Sequence, residues 1–140
     1  MLGVFSPSFV IIIAILLIMF AGLSYYLMTF KAQTSISLFR MHAVKVCGDI
    51  LDIIREAYVN SRSNITMEKP IYVPQGDVLY TAKIGCINDT VFVKVESSKG
   101  DVSCYDYLNC SSLNISGLLT PGYKCIKNNA TNIWVDECGN

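Results

Sequence analysis

Cysteine is the residue of this 140-residue chain whose type and spacing could do the most chemistry. A thiolate can act as a nucleophile, bind a metal or pair in a disulfide. The chain has six cysteines, and none of them stands in the paired C-x-x-C spacing of a zinc site. An even set in a short domain favours three disulfides, which form in an oxidising compartment or in a hyperthermophile. The six residues are Cys47, Cys86, Cys104, Cys110, Cys125 and Cys138.

Asparagine in the pattern N-x-[ST] is the second chemical signal, because this sequon accepts N-linked glycans. Five of the nine asparagines that follow residue 31 fit the pattern. Turns rich in Asn, Ser and Thr would produce some sequons by chance, but this density favours a glycosylated domain outside the cell. The acceptor at the sequon N-C-S is the weakest, since its middle cysteine could be locked before sugar transfer. The predicted acceptors are Asn64, Asn88, Asn109, Asn114 and Asn129.

Other residues of catalytic or metal-binding type are scattered along the chain. His42 is the single histidine, and we expect it on the surface of a helix, far in sequence from any partner. No G-x-S-x-G, H-E-x-x-H, P-loop or G-x-G-x-x-G pattern occurs. The acidic pairs Asp49/Asp52 and Asp136/Glu137 lack a second group of ligands. We therefore predict no enzyme activity, no metal and no cofactor, and the zero net charge gives no basis for binding nucleic acid.

An uncharged apolar segment of 22 residues, Phe9 to Phe30, precedes all of these signals. As a helix it would be about 33 Å long, which matches a bilayer core of about 30 Å. Its Leu, Ile, Val and Phe side chains favour insertion by about 4–8 kcal/mol. A cleaved secretory signal has a shorter apolar stretch, a basic start and a small-residue cleavage site. We therefore expect the segment to span a membrane and to remain in the mature chain.

The charges around this segment conflict with an extracellular domain. Lys31, Arg40 and Lys45 follow it, and the positive-inside rule would keep the following residues in the cytoplasm. Disulfides and sequons require the opposite side. The conflict is resolved if a short basic leader oriented the chain and was then removed.

The apolar segment is expected to continue as one long helix. Ser6 before Pro7 is typical of an N-cap followed by proline at the first helical position, which leaves residues 1–6 extended. The helix should cover residues 7–58, with 9–30 in the membrane or a filament core and 31–58 amphipathic. Its apolar stripe recurs at spacings of three and four: Ile36, Phe39, Ala43, Val46, Ile50, Ile53 and Ala57. Ile50, Ile53 and Ala57 are expected to pack on the domain's own sheet.

Residues 59–140 are predicted to form a β-rich head, so that the fold class is α+β. After the polar break N-S-R-S-N, short β-rich runs alternate with turn residues, and G-C-I-N-D-T and S-S-K-G-D are candidate hairpin turns. We expect an antiparallel sheet of four or five strands packed on the helix. The segment 109–122 is expected to be an outer loop. The predicted strands are 71–73, 78–84, 90–95, 102–105, 123–127 and 133–135.

With its apolar first helix, small β-rich head and inferred leader, the chain resembles the type IV pilin superfamily, in particular the archaeal pilins. The resemblance lies in the layout of the full chain. Bacterial type IV pilins typically carry glutamate at the fifth mature position, where this chain has Phe5. The departure favours the archaeal branch.

The resemblance implies a structural subunit of a helical extracellular filament, made of many copies of the chain and inserted in the membrane before assembly. The N-terminal helices would form its core and glycosylated heads its surface, for adhesion or surface attachment. A membrane-anchored receptor or adhesin, and an accessory pilin-like secretion component, are the alternatives. The residues expected to pack between subunits are Ala14, Ala21, Gly22, Ser24, Ile36 and Phe39.

The resemblance also implies one disulfide, since pilin heads commonly carry a stapled C-terminal loop. This would pair Cys125 with Cys138. Cys104 and Cys110 are close enough in sequence to close a short loop, which leaves Cys47 with Cys86. Six cysteines allow fifteen pairings, so this set is one hypothesis among them.

Overall fold

The computed structural model describes residues 7–75 and 80–139. Contacts within the chain divide it into two compact units, Met1–Leu38 and Phe39–Asn140, and each is described by itself. The extended segment expected at residues 1–6, with its Ser6 cap, lies outside the described residues. So do the first two residues of the strand expected at 78–84.

One α-helix, α1, runs from Pro7 to Arg62 and contributes to both units. A long helix beginning at Pro7 was predicted and is confirmed. Proline fits the first turn because its missing N–H would have no helical partner there. The next proline is Pro70, so nothing in between forces a break. The helix extends past the expected end at Tyr58 into the polar segment.

The backbone conformation of Asn64 ends α1, and the polar side chains of the segment N-S-R-S-N do not. The N–H of Ile65 donates to the carbonyl of Asn60 (2.9 Å), and that of Asn64 donates to the carbonyl of Ser61 (3.1 Å). Asn64 has a φ of 54°, a left-handed conformation that asparagine adopts more readily than most residues. This is the Schellman arrangement, which satisfies carbonyl groups left over at a helix end.

In the first unit, residues 7–38 form a helix without a buried side chain. The large apolar side chains between Phe9 and Phe30 are 41–76% exposed. This part of α1 is long and apolar enough to cross a membrane. Its most apolar residues are not buried among the residues that the structure describes. A surface of this kind needs an apolar environment, which the described residues do not supply.

The second unit contains a seven-stranded sheet with the order β1-β6-β7-β5-β2-β3-β4. All neighbours are antiparallel except β5 and β7, which are parallel. Sequence had predicted fewer strands and a purely antiparallel sheet. The strands are β1 (Met67–Val73), β2 (Thr81–Ile87), β3 (Thr90–Ser97), β4 (Gly100–Tyr107), β5 (Asn114–Leu119), β6 (Gly122–Asn128) and β7 (Asn132–Asp136).

Strand β5 accounts for most of that difference, because it lies inside the segment 109–122 that was expected to be a loop. Its composition is poor in β-formers, but it pairs with β2 on one side and β7 on the other. Ile115 and Leu119 are buried on the inner face. Gly117 lets β7 approach, since a Cβ there would lie 2.4 Å from a methyl group of Val135. Pairing on both edges thus outweighs the low β-propensity.

The core of the second unit lies between α1 and one face of the sheet. Residues of α1 from Phe39 onward share one buried cluster with inward side chains of the strands. The strict alternation of β3 is confirmed, with Val91, Val93 and Val95 all fully buried. The expected packing of Ile50, Ile53 and Ala57 inside the head is confirmed as well.

Phe39 corrects the prediction that its side chain packs between subunits. Its side chain is only 3% exposed and stacks on Tyr80, with ring centroids 5.5 Å apart. It also faces Gly100, the first residue of β4, where an added Cβ would lie 3.7 Å from the ring. Phe39 therefore belongs to the head's own core, whereas Ile36 remains exposed.

The three disulfides pair all six cysteines, but only one of the predicted pairs is correct. Cys125–Cys138 is confirmed, while the predicted pairs Cys47–Cys86 and Cys104–Cys110 are wrong. The structure instead joins Cys47 to Cys104 and Cys86 to Cys110.

Strand register explains why Cys104 does not pair with Cys110, although the two residues are close in sequence. This residue pairs in β4 with the inward Val93 of β3, and therefore faces α1. The Sγ atom of Cys47 lies 3.4 Å from the carbonyl oxygen of the same Val93. The disulfide thus ties the helix to the sheet. Cys110 lies past the end of β4 and reaches β2 instead.

Removing the helix-to-sheet disulfide should destabilise the head more than removing the C-terminal one. Cys47 and Cys104 are 57 residues apart, and the chain-entropy estimate for their replacement by alanine is a loss of about 4 kcal/mol. The corresponding loss for Cys125 and Cys138, 13 residues apart, is about 3 kcal/mol. Chemical denaturation of the full chain in detergent micelles measures both. Peptide mapping without reduction checks the pairs, and a Cys47–Cys86 link would contradict them.

Candidate functional site

The direction of the strands brings several connections to one end of the sheet, which we call the sequon end. Here lie the end of α1, the β2–β3 turn, the β4–β5 connection and the β6–β7 turn. The opposite end holds Phe39, Tyr80 and the β3–β4 turn. The sequon end comprises residues 62–66, 88–89, 108–114 and 129–131.

All five predicted acceptor asparagines lie at the sequon end, although they span most of the head in sequence. Four of them are exposed and the fifth, Asn129, is half-buried. The sequence alone gave no reason to expect this grouping, because it depends on strand order. The five are Asn64 after α1, Asn88 between β2 and β3, Asn109 after β4, Asn114 at the start of β5 and Asn129 after β6.

Two of these asparagines have left-handed backbones. Asn64 ends α1, and Asn88 forms the β2–β3 turn with Asp89. Positive φ at both central residues, 50° and 57°, is the signature of a type I′ hairpin turn. The hairpin turns expected at G-C-I-N-D-T and at S-S-K-G-D are both confirmed. The turn geometry holds Asn88 at the tip of the hairpin, in solvent.

Asn109 is held by its neighbours despite its exposed side chain. Its carbonyl accepts a hydrogen bond from the hydroxyl of Tyr58 (3.0 Å), and its Oδ1 accepts one from Ser111 (2.8 Å). The middle residue of this sequon, Cys110, is 1% exposed and disulfide-bonded. The backbone of the sequon is therefore fixed once the disulfide has formed.

Asn129 is the most constrained acceptor. Its Oδ1 accepts hydrogen bonds from the backbone N–H of Thr131 (2.9 Å) and of Asn132 (2.7 Å). The Thr131 hydroxyl and the Asn132 amide approach the same oxygen. This is an Asx turn, in which the side chain replaces a backbone acceptor. The amide of Asn129 is thus part of the β6–β7 turn.

Asn128, the neighbour of that acceptor, anchors the sequon end from inside. It is 2% exposed, and its amide nitrogen donates to Ser61 Oγ (2.8 Å) and to the carbonyls of Ile65 (3.0 Å) and Ala57 (3.2 Å). Its Oδ1 accepts from the N–H of Met67 (2.6 Å). One buried amide therefore joins α1, β1 and β6. Sequence reasoning missed it, although its place two residues after the inward Ile126 marks it as inward too.

A group of charges lies beside the Cys125–Cys138 disulfide. Lys127 contacts Asp136 (3.2 Å) and Glu68 (3.8 Å), and the N–H of Glu137 donates to Asp136 (2.8 Å). That backbone bond, with Lys127, holds the pKa of Asp136 below its ordinary value. Glu68 also lies near both sulfur atoms, but these share a disulfide and offer no thiolate to a metal.

The residues predicted to pack between subunits lie in the first unit, except Phe39. Ala14, Ala21 and Gly22 are exposed, and Ser24 is half-exposed. A Cβ added at Gly22 would meet no atom within 4 Å. The helix thus presents these small positions without using them in the packing of the described residues. His42 is exposed on α1, as predicted.

Comparison with known protein families, with characterised proteins and with solved structures found no match for this chain. The roles of the sequon end and of the exposed apolar part of α1 are therefore inferred from their own residues.

Replacing Asn128 by alanine should lower the free energy of unfolding by about 2–4 kcal/mol, because groups of α1, of β1 and of the connection between them lose their hydrogen bonds. Asn132→Ala is a matched control at the other end of the same turn. Its amide bonds only to the turn itself, and its loss should stay below about 1 kcal/mol. Equal losses for the two variants in chemical denaturation would show that Asn128 is no anchor.

Proposed function

We propose that this chain is the repeating structural subunit of a helical extracellular filament, similar to the archaeal type IV pilins. The observation that carries the proposal is the division of α1. From Phe39 onward one face of α1 is buried in the head's core, while before Phe39 the large apolar side chains of α1 are exposed. Lipid covers such a surface before assembly, and helices of neighbouring copies cover it afterwards.

The continuity of α1 supports a filament over a simple anchor. An anchor needs a span of about 20 residues, usually joined to its domain by a flexible polar linker. Here α1 is helical from Pro7 to Arg62, without an intervening loop. The apolar segment and the part of α1 that packs in the head thus belong to one helix, which fits a filament subunit better than an anchor on a flexible linker.

The small residues suit close helix packing. Transmembrane helices associate through small side chains that let their backbones approach. Gly22 and its neighbour Ala21, with Ala14 two turns earlier, provide such positions in the apolar half. Ser24 and Ile36 extend the expected contact region. Phe39 is not part of it, since the head buries it.

The head suits the outside of such a filament. Three disulfides stabilise a small domain in an oxidising environment. N-linked glycans on the sequon end would add a hydrophilic layer there and leave the outer face of the sheet free for contact with a surface or another cell. Adhesion or surface attachment is the role that we propose for the filament.

Bulky substitutions at the small positions separate a filament subunit from an anchored receptor. Gly22→Leu and Ala14→Phe keep the helix apolar, and the open space around Gly22 means that the isolated chain should fold normally. Between packed helices, however, each added side chain should cost about 1–3 kcal/mol at every interface. We expect normal amounts of protein in the membrane fraction but few or no filaments in electron micrographs of material sheared from cells.

Leu17→Met is the control for this experiment, because it conserves volume and should leave filaments intact. If wild-type cells show no filament of this protein, or if both bulky variants assemble normally, the chain is an anchored surface glycoprotein.

Glycan occupancy should follow the freedom of each acceptor in the folded head. Asn64, Asn88 and Asn114 are exposed, and we expect them to carry sugar most completely. Asn109 and Asn129 must react before the disulfide or the Asx turn forms, so their occupancy should be lower. Glycopeptide mass spectrometry of protein from its native cells measures all five.

Releasing the sequon of Asn109 should raise its occupancy. Cys86→Ala removes the disulfide partner of Cys110 and leaves the sequon itself unchanged. An Asn109 occupancy that does not respond to this substitution would contradict the role of the disulfide. Bare polypeptide at all five sites would overturn the glycoprotein part of the proposal.

A further inference from the structure

A shallow cleft lies on the outer face of the sheet at the sequon end, between β5 and β7. Its volume is about 270 Å³. It combines one large aromatic ring with several amides and a hydroxyl, and it takes no part in the packing of α1. The cleft is lined by Asn114, Ser116, Asn129, Asn132, Ile133 and Trp134.

The register of the parallel strands explains why these side chains share a face. Asn114 pairs with Asn132, and Ser116 pairs with Trp134. Directly paired residues on neighbouring strands point to the same side of a sheet, and so do residues two apart. Ile115 and Ile133 alternate with them and are buried on the α1 side. Asn114 and Trp134 are therefore diagonal neighbours on the outer face.

The chemistry of this cleft suits a pyranose ring. A sugar has an apolar face of C–H groups, which packs on an aromatic ring, and a rim of hydroxyls, which bond to amides and hydroxyls. Trp134 is half-buried and offers such a ring, with an indole N–H as a donor. Ser116 and Asn132 stand beside it. Ligand sites commonly combine apolar walls with a few polar groups in this way.

We propose that the sugar attached to Asn114 folds back into this cleft and stacks on Trp134. The proposal rests on the glycosylation included in the proposed function. Asn114 starts β5 at the mouth of the cleft and is exposed, so a ring linked to its Nδ2 atom lies within reach of the indole. The backbone N–H of Asn114 bonds to the carbonyl of Thr131 (2.9 Å), which fixes the direction of the attachment point.

Asn129 lines the same cleft but is a poorer source of the sugar. Four donors from Thr131 and Asn132 converge on its Oδ1 and hold the amide in the turn. These bonds hold the plane of the Asn129 amide, so the turn sets the direction of a ring attached to its Nδ2 atom. The arrangement therefore assigns the cleft to the glycan of Asn114.

Trp134 is the only tryptophan of the chain, so its fluorescence reports on this cleft alone. The full glycosylated chain in detergent micelles is compared with Asn114→Gln and with Ser116→Ala, each of which removes the sequon by a different residue. A stacked sugar shields the indole, so both variants should show a red-shifted emission and stronger quenching by acrylamide. Asn88→Gln, which removes the glycan expected in the β2–β3 turn at the same end, should change neither.

Stability gives a second readout. Loss of the Asn114 glycan should lower the Tm of the wild-type chain by a few degrees. In a Trp134→Leu background the same loss of glycan should have little effect, because its stacking partner is gone. Equal Tm losses in the two backgrounds would overturn the proposal.

The source of the sugar is tested with N-acetylglucosamine and glucose added to the Asn114→Gln chain. If neither sugar changes the fluorescence at millimolar concentration while the linked glycan does, the cleft depends on its own tethered sugar, as proposed. If a free sugar binds equally to the glycosylated chain, the cleft is open to external saccharides and the proposal fails. Unmodified Asn114 beside glycosylated acceptors elsewhere would overturn this proposal alone, and bare polypeptide at all five sites would overturn it together with the glycoprotein part of the proposed function. A glycosylated Asn114 with unchanged fluorescence would overturn it alone.

Discussion

The packing of one helix against one face of the sheet is the interaction on which the rest of this structure depends. Between Phe39 and Tyr58, α1 supplies ten of the 24 buried residues that the structure describes in the head's core, and the strands supply most of the others. Neither could bury its apolar face without the other, since a helix stripe and a one-sided sheet each need a partner layer. The same helix carries the apolar residues before Phe39.

One disulfide, one buried amide and one aromatic contact reinforce this helix-to-sheet packing. The Cys47–Cys104 disulfide fixes the middle of the contact and Asn128 fixes its far end, where α1 stops and β1 begins. Phe39 closes the near end against Tyr80. A domain of this size buries a limited core, and for such domains disulfides commonly supply the missing stability. Outside this contact the remaining links tie strands and connections to one another.

The sequence predicted the parts of the fold that rest on local pattern. The apolar run, the stripe at helical spacing and the alternation in β3 each reveal their structure within a few residues. What it did not reveal depends on which strands are neighbours. Cys104 and Cys110 are near in sequence but face different partners, and β5 has a composition that only pairing on both edges makes extended. The gathering of the acceptor asparagines and the cleft at Trp134 follow from strand order in the same way.

Strand order also has a consequence for biogenesis. β7 is the last strand in the chain, yet it lies between β6 and β5 and joins the pair β1-β6 to the group β5-β2-β3-β4. A ribosome makes the chain from its N-terminus, so the two parts of the sheet have open edges until their central strand is available. Such edges invite wrong pairing between chains. The sheet is therefore complete only after β7 has been made, and a chain interrupted before Asn132 lacks the strand that joins its two parts.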